Sequence, residues 1–482
     1  MGEDAVKLTL SKIVTLGIYM LAGMLISRFR TLEEYGTYSQ LQLTVSVISS
    51  FLMLGLPNSI NYFLSKARTL DEENQFLSTY YTTSTIISIL IGFAMALSVG
   101  IIEKYFNNPS LASFKYFLFL YPWATITMHS IDNVMVIHKK IDVLMMFKVA
   151  YGGLTVLVII LNHVLKHSFS KYMIAFTVLN IIAGIAVIAL VNDSNHNIKA
   201  YVNIDLLKNI LTYSIPLGIS SLVGTLNSDI DKAFIGYITS TEKLAIYANA
   251  ARELPISIIP GSVSAVLIPI IIKMVQQGRV KESIDRWKIA VELSFIVICF
   301  MVVGVFTYAP EVIEILYSSK YLPGVSVFRI YTLNLLLRVT YFGLYLNAFG
   351  KTKKVLESSI VALIVNIIMN PVLYYLFGIV GPAIATFLSI FTMQMMQLHK
   401  TVSLVNCSSL EIMPWGNMVR CVGVNAIFAV FFWVLKRVVP LNIYIGEIIE
   451  SVLLGIIWTF LYIVFYKKKL LLLWNRLNSS ST

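Results

Sequence analysis

Charge is what this sequence has least of. Only 13% of its 482 residues are Asp, Glu, Lys or Arg, 57% are hydrophobic, and the mean hydropathy is +0.78. A soluble protein carries about a quarter charged residues, so an ordinary water-facing surface is excluded. Cysteine is scarce too. Cys299, Cys407 and Cys421 are scattered, without the spacing of a disulfide framework or a thiolate metal site. No P-loop sequence occurs, which excludes ATP hydrolysis by that route. No polar stretch is long enough for a soluble catalytic domain, and the apolar runs lack the strict alternation of a membrane β-barrel. What remains is an all-α integral membrane protein.

A spanning helix uses about 20 apolar residues. Candidate spans lie near 8–29, 37–64, 76–102, 113–137, 143–165, 171–191, 209–236, 243–272, 286–308, 323–349, 355–377, 379–400, 417–439 and 443–466, about fourteen in all. The net charge of +12 sits in short clusters between them, where it sets topology rather than gripping nucleic acid. One set of alternate loops holds Lys66, Arg68, Lys139, Lys140, Lys273, Arg279, Lys351, Lys353 and Lys354. With its other members, it carries about twice the positive charge of the opposite set. By the positive-inside rule that first set, and both termini with it, faces the cytoplasm. The opening MGEDAVKLTLSK reads as part of a retained first helix rather than a cleaved signal peptide. The closing YKKKLLLLWNRLNSSST reads as a basic stop followed by an interfacial stretch.

The chain also repeats. TLEEYGTYSQL (31–41) matches STEKLAIYANA (240–250), and HKKIDVL (138–144) matches GKTKKVL (350–356), at nearly the same displacement. Six helices per half put both halves in the same membrane orientation. The expected organisation is two six-helix lobes in pseudo-twofold arrangement, 1–191 and 209–400. A cytoplasmic linker at 192–208 joins them, and 401–482 forms an appended helix pair with a basic tail.

Two segments carry a family likeness. LNSDIDKAFIGYITSTEKLAIYANAARELPISIIPGSVSAVLIPIIIKM (226–274) is similar to the helix 7–8 region of bacterial polysaccharide flippases, and NIIMNPVLYYLFGIVGPAIAT (366–386) resembles their helix 11–12 hairpin. These flippases belong to the multidrug/oligosaccharidyl-lipid/polysaccharide flippase superfamily, and the resemblance extends over most of the chain. It implies a non-enzymatic flippase of the bacterial cytoplasmic (inner) membrane. Such a protein moves undecaprenyl-diphosphate-linked oligosaccharide from the inner to the outer leaflet, for O-antigen (lipopolysaccharide), capsule or exopolysaccharide assembly. It also implies no cofactor or metal, a possible H⁺ or Na⁺ coupling ion, and possible partnership with the polymerase and chain-length proteins of the same pathway. The runner-up is a multidrug-type cation-coupled antiporter; those usually stop at twelve helices, so the appended pair favours lipid-linked sugar. A membrane polysaccharide polymerase is expected to have a long outer loop with catalytic Arg or His, which is missing here.

A diphosphate calls for cations, and sugars call for amide and aromatic groups. Ionisable residues inside spans are expensive and tend to line cavities. The substrate-binding candidates are Lys232, Asn249, Arg252, Asn334, Arg338 and Tyr341, the last three sharing a helix face with Tyr345. The ion-coupling candidates are Asp132, Asp229, Asp231 and Glu253. Two readings stand for the charges on helices 7 and 8: a cation site with coupling acids, or an acid paired with Arg252 to fix the hairpin. His129, beside Thr125 and Asp132 or Asn133 on helix 4, reads as a satisfied interior histidine. Glu292, Glu447 and Glu450 read as interfacial. The DID at 229–231 is not a glycosyltransferase metal motif, since no nucleotide domain surrounds it.

Overall fold

Hydrocarbon offers the backbone no hydrogen-bond partner, so apolar runs broken by short polar turns fold as successive helices. The computed structural model describes residues 2–479 except 54, 193–196, 253, 341 and 440–445. Side chains are described for all of these apart from 2–12, 257–262, 264–266, 269, 478 and 479. Among the described residues there is no strand. Eight stretches are long and apolar enough to cross a membrane, or nine if a bent pair at 32–66 is one span. One of the eight, 352–405, holds two helices, and the element order is compatible with about fourteen spans.

The chain divides into two compact units, Met1–Ala248 and Asn249–Thr482. The first contains α1 (Gly2–Phe29), α2 (Leu32–Leu52), α3 (Ser59–Lys66), α4 (Leu70–Leu97), α5 (Val99–Phe106), α6 (Lys115–Ile137), α7 (Ile141–Val164), α8 (Phe169–Asn192) and α9 (Ile204–Ile238). Helix α10 (Thr241–Ala250) ends it. The second contains α11 (Ile258–Gln276), α12 (Val280–Thr307), α13 (Ala309–Leu316), α14 (Val325–Arg338), α15 (Gly343–Ala348) and α16 (Thr352–Phe377). After these come α17 (Gly381–Val405), the single turn α18 (Ser409–Ile412), α19 (Trp415–Val438) and α20 (Glu447–Ser479). Packing therefore groups the seventh long helix, α9, with the first unit.

The element boundaries repeat. Helices α4 and α12 open at Leu70 and Val280, α5 and α13 at Val99 and Ala309, and α6 and α14 at Lys115 and Val325. A six-residue 3₁₀ segment precedes each of the last two, at Pro109–Phe114 and Ser319–Gly324. Each pair is displaced by the same 210 residues.

Several expected single spans are broken. The second gives way at 53–58, where Gly55 adopts φ 72° and a Leu56–Asn58 3₁₀ turn begins. The eighth breaks after Ala250, with a 3₁₀ turn at Pro255–Ser257, because proline cannot continue the backbone ladder. The tenth breaks after Arg338 and resumes at Gly343, so the Asn334–Arg338–Tyr345 face is not one continuous helix. The last helix runs on to Ser479, well past the expected end near 466. Its 33 residues span about 50 Å, and its buried stripe of Leu454, Trp458, Tyr462, Tyr466 and Leu473 continues into the basic tail.

Polar residues start the helices locally. Thr31 accepts a bond from Glu34 N at 3.1 Å while Glu34 accepts one from Thr31 N at 3.1 Å, a capping box at the entry to α2. Close packing inside the first unit depends on absent side chains. A Cβ added at Gly92 on α4 would collide with the carbonyl of Phe119 on α6, whereas one at Gly100 would meet nothing within 4 Å. Gly92→Ala is therefore expected to cost about 1–3 kcal/mol, read as a lowered melting temperature of the purified protein. Gly100→Ala should leave that temperature unchanged.

Candidate functional site

The acids of α9 are engaged, each differently. Asp231 is fully buried; Tyr247 Oη donates to its Oδ2 at 2.7 Å and the Lys232 backbone N–H to its Oδ1 at 2.8 Å. That pins α10 to α9, which is a structural task. Asp229, two residues earlier, is partly exposed. Ser46 on α2 donates to its Oδ2 at 3.1 Å and the Lys232 ammonium to its Oδ1 at 2.8 Å, with both side chains about a fifth exposed. Lys232 also donates to Ser228 O at 2.8 Å. The predicted cation is thus balanced by the predicted coupling acid. On α6, Asp132 pairs with Lys148 of α7.

Toward the N-terminal end of α9, α2, the 3₁₀ turn after it and α3 are each tied to α9. Ser50 donates to Thr225 at 3.2 Å, Asn58 Nδ2 donates to Ser221 at 3.0 Å, and the rings of Tyr62 and Tyr213 stack 4.4 Å apart. At the break in the second span, a Cβ on Gly55 would collide with the carbonyl of Ser214 and sit 2.5 Å from Gly218 Cα. Glycine is required there both by its positive φ and by that approach. Between α2, α6 and α9 this leaves a cavity of about 460 Å³. Gln42, Ser46, Ser49, Ser50 and Asn58 line it from one side, Tyr121, Thr125 and His129 from α6, and Ser221 and Thr225 from α9. Gln42 Nε2 donates to Tyr121 Oη at 3.1 Å, and His129 is accessible. Sequence reasoning chose His129 as interior and passed over the serines. Their signal was the helical spacing of Gln42, Ser46 and Ser49 within an apolar span.

The remaining candidates belong to the second unit. Asn249 is buried and Arg252 exposed, on either side of the end of α10. Asn334 is buried on α14, and Arg338 is half-buried at that helix's last residue. Glu253 and Tyr341 lie outside the described residues. Glu292 is 8% exposed and ion-paired with Lys469 at 2.6 Å, and Glu450 is fully buried. A polar patch that sequence reasoning assigned no role occupies α16 and α17. Asn366 and Asn370, one turn apart, and Thr386 are all buried there.

The second span is broken between α2 and α3 with polar groups gathered beside the break, and discontinuous helices of this kind are where transporters of repeated build place ligands. Sequence comparison supplies the family. A profile described as polysaccharide biosynthesis protein matches residues 25–326, more than half of the chain. The chain belongs to that family. Over 204 residues it is 23% identical to the probable low-salt glycan biosynthesis flippase Agl15 of Haloferax volcanii, a match covering 41% of this chain and 43% of that protein. The chain thus aligns with less than half of that relative's length. Among solved structures, the lipid II flippase MurJ in an inward closed conformation superposes with a TM-score of 0.75. That match has 15% identity and covers 97% of this chain and 99% of the other. An inward-facing multidrug resistance MATE family transporter of the MOP superfamily gives 0.63 at 14% identity, covering 81% and 95%. At such identities the likeness is one of fold. With the long apolar helices, it makes the chain a multi-pass membrane protein.

The Asp229–Lys232 pair makes a separable prediction. Removing one partner strands the other, whereas removing both does not. Lys232→Met should lower thermal stability by about 1–3 kcal/mol, and Asp229→Asn should restore part of that loss in the double variant. Additive losses in melting experiments would show that the pair is not coupled.

Proposed function

We propose that this protein is a non-enzymatic flippase carrying undecaprenyl-diphosphate-linked oligosaccharide from the inner to the outer leaflet by alternating access of its two repeated lobes. The lobes are 1–191 and 209–400, with the linker 192–208 on the cytoplasmic side and 401–482 appended. The protein sits in the cytoplasmic membrane with both termini inside. The observation that carries this reading is the hydroxyl- and amide-lined cavity at the broken second span, in a chain of the polysaccharide biosynthesis family.

The physics is that of an amphipathic cargo. A prenyl tail is at home in the bilayer, but each sugar hydroxyl left unsatisfied in hydrocarbon costs several kcal/mol, and a diphosphate costs more. A wet polar surface inside the protein removes that barrier. Arg252 and Arg338 serve the diphosphate, with Asn249, Asn334 and Tyr341 as polar neighbours and Lys232 available if it leaves Asp229. Of the acids proposed for coupling to H⁺ or Na⁺, Asp229 and Asp132 sit in ion pairs that a proton or cation would disturb. Asp231 is held by Tyr247 in a structural role. The multidrug-antiporter fold neighbour supports a second reading, a small-molecule exporter, on fold alone.

Loss of the protein should make lipid-linked oligosaccharide accumulate on the cytoplasmic leaflet and surface glycan disappear; an exporter would leave both unchanged. Arg338→Ala and Arg252→Ala should each cut surface glycan at least about tenfold, because a charge-assisted hydrogen bond contributes about 1.5–3 kcal/mol. Immunoblotting of membranes checks that both variants are still inserted. Normal glycan display by both would remove the cationic-site assignment.

A further inference from the structure

We infer that the crevice of the first unit is a subsite for uncharged sugar residues that rejects acidic ones; the inference rests on the flippase reading and names which part of the cargo this site takes. Among the described residues the cavity wall offers hydroxyls, amides, an imidazole and a phenol, but no carboxylate, ammonium or guanidinium. The charged groups nearest to it are closed on themselves. Asp229 is held by Ser46 and Lys232, and Asp132 by Lys148.

The polar atoms are also set in place. Gln42 is braced on Tyr121, Ser50 on Thr225 and Asn58 on Ser221, so their remaining lone pairs and protons have fixed directions. Ser49, only 8% exposed, also lines the cavity. Val45, Met53 and Ile126 supply apolar facets between these groups. Pockets of about 300–1,000 Å³ that mix apolar walls with a few fixed polar groups suit small neutral ligands, and 460 Å³ falls in that range. A pyranose ring has the matching pattern of C–H faces and equatorial hydroxyls. A hexuronic acid in the same place would bring a carboxylate with no cation on the described wall to meet it, and a charge taken from water without a partner is penalised.

The test uses the full chain reconstituted in liposomes and two fluorescent undecaprenyl-diphosphate trisaccharides. One is built only of hexose and N-acetylhexosamine; in the other a hexose is replaced by hexuronic acid. Flipping is read by quenching with a membrane-impermeant reductant. The neutral probe should cross at least about tenfold faster. Thr225→Lys and, in parallel, Ser221→Lys at an exposed wall position should shrink or reverse that ratio by supplying the missing cation. Monodispersity of each variant on size exclusion checks folding. Equal rates for the two probes in the unaltered protein overturn the inference while leaving the flippase reading intact. A preference unmoved by either lysine variant removes it from this crevice. If neither probe crosses at all, the flippase reading itself fails and this inference goes with it.

Discussion

A charge inside a lipid-embedded helix bundle has to be matched, and in this protein the matching is done pairwise between or within helices. Asp132 meets Lys148 across α6 and α7, and Asp229 meets Lys232 within α9. Glu292 meets Lys469 across α12 and α20, and Glu311 meets Lys436 across α13 and α19. Such pairs gain little net stability over apolar packing, but leaving one partner alone is severe. They fasten helices in a register. The consequence reaches the cavity. With Asp132 and Asp229 held in such pairs, the described wall around the broken second span is polar yet neutral.

The break itself follows from composition. Gly55 and Pro57 in sequence permit a left-handed residue and then remove a backbone donor, which keeps α2 from running on into α3. Within a membrane such irregular backbone is tolerated where it is buried in protein or lines a cavity, and here it lines one. Gly218 on α9 lets the broken segment approach closely, while Ser50–Thr225 and Asn58–Ser221 hold the two helices on either side of the opening. A continuous apolar helix in place of residues 53–58 would have closed the same space.

The architecture was legible in the sequence because lipid imposes a coarse rule: long apolar runs become helices, and short polar turns separate them. The repeat was visible in two short matches, and the structure repeats its element boundaries at 210 residues, a displacement close to theirs. The site was less legible. Intramembrane charges draw the eye because they are costly, yet Asp231 turned out to anchor α10 through Tyr247 and Lys232 to neutralise Asp229. Serine and threonine in spans carry a weak signal, since each can satisfy itself on a carbonyl of its own helix, as Thr44 does on Gln40 and Ser214 on Ile210. Only packing reveals which hydroxyls turn outward instead. The ends of broken helices were equally hidden: Arg338, expected on one helix face with Asn334 and Tyr345, closes α14.

This distribution of groups bears on the choice between cargo types. The first unit presents a neutral, hydrogen-bonding crevice, and the second carries the exposed Arg252 and the half-buried Arg338. A lipophilic cation would find no complementary charge in the crevice and the wrong sign on those two arginines. A headgroup made of sugars joined to a diphosphate calls for both kinds of surface, and a ligand moves a conformational equilibrium only by binding its states unequally. Differential binding of that kind is the minimum any alternating-access transporter requires, because a cargo held equally in every arrangement shifts no equilibrium.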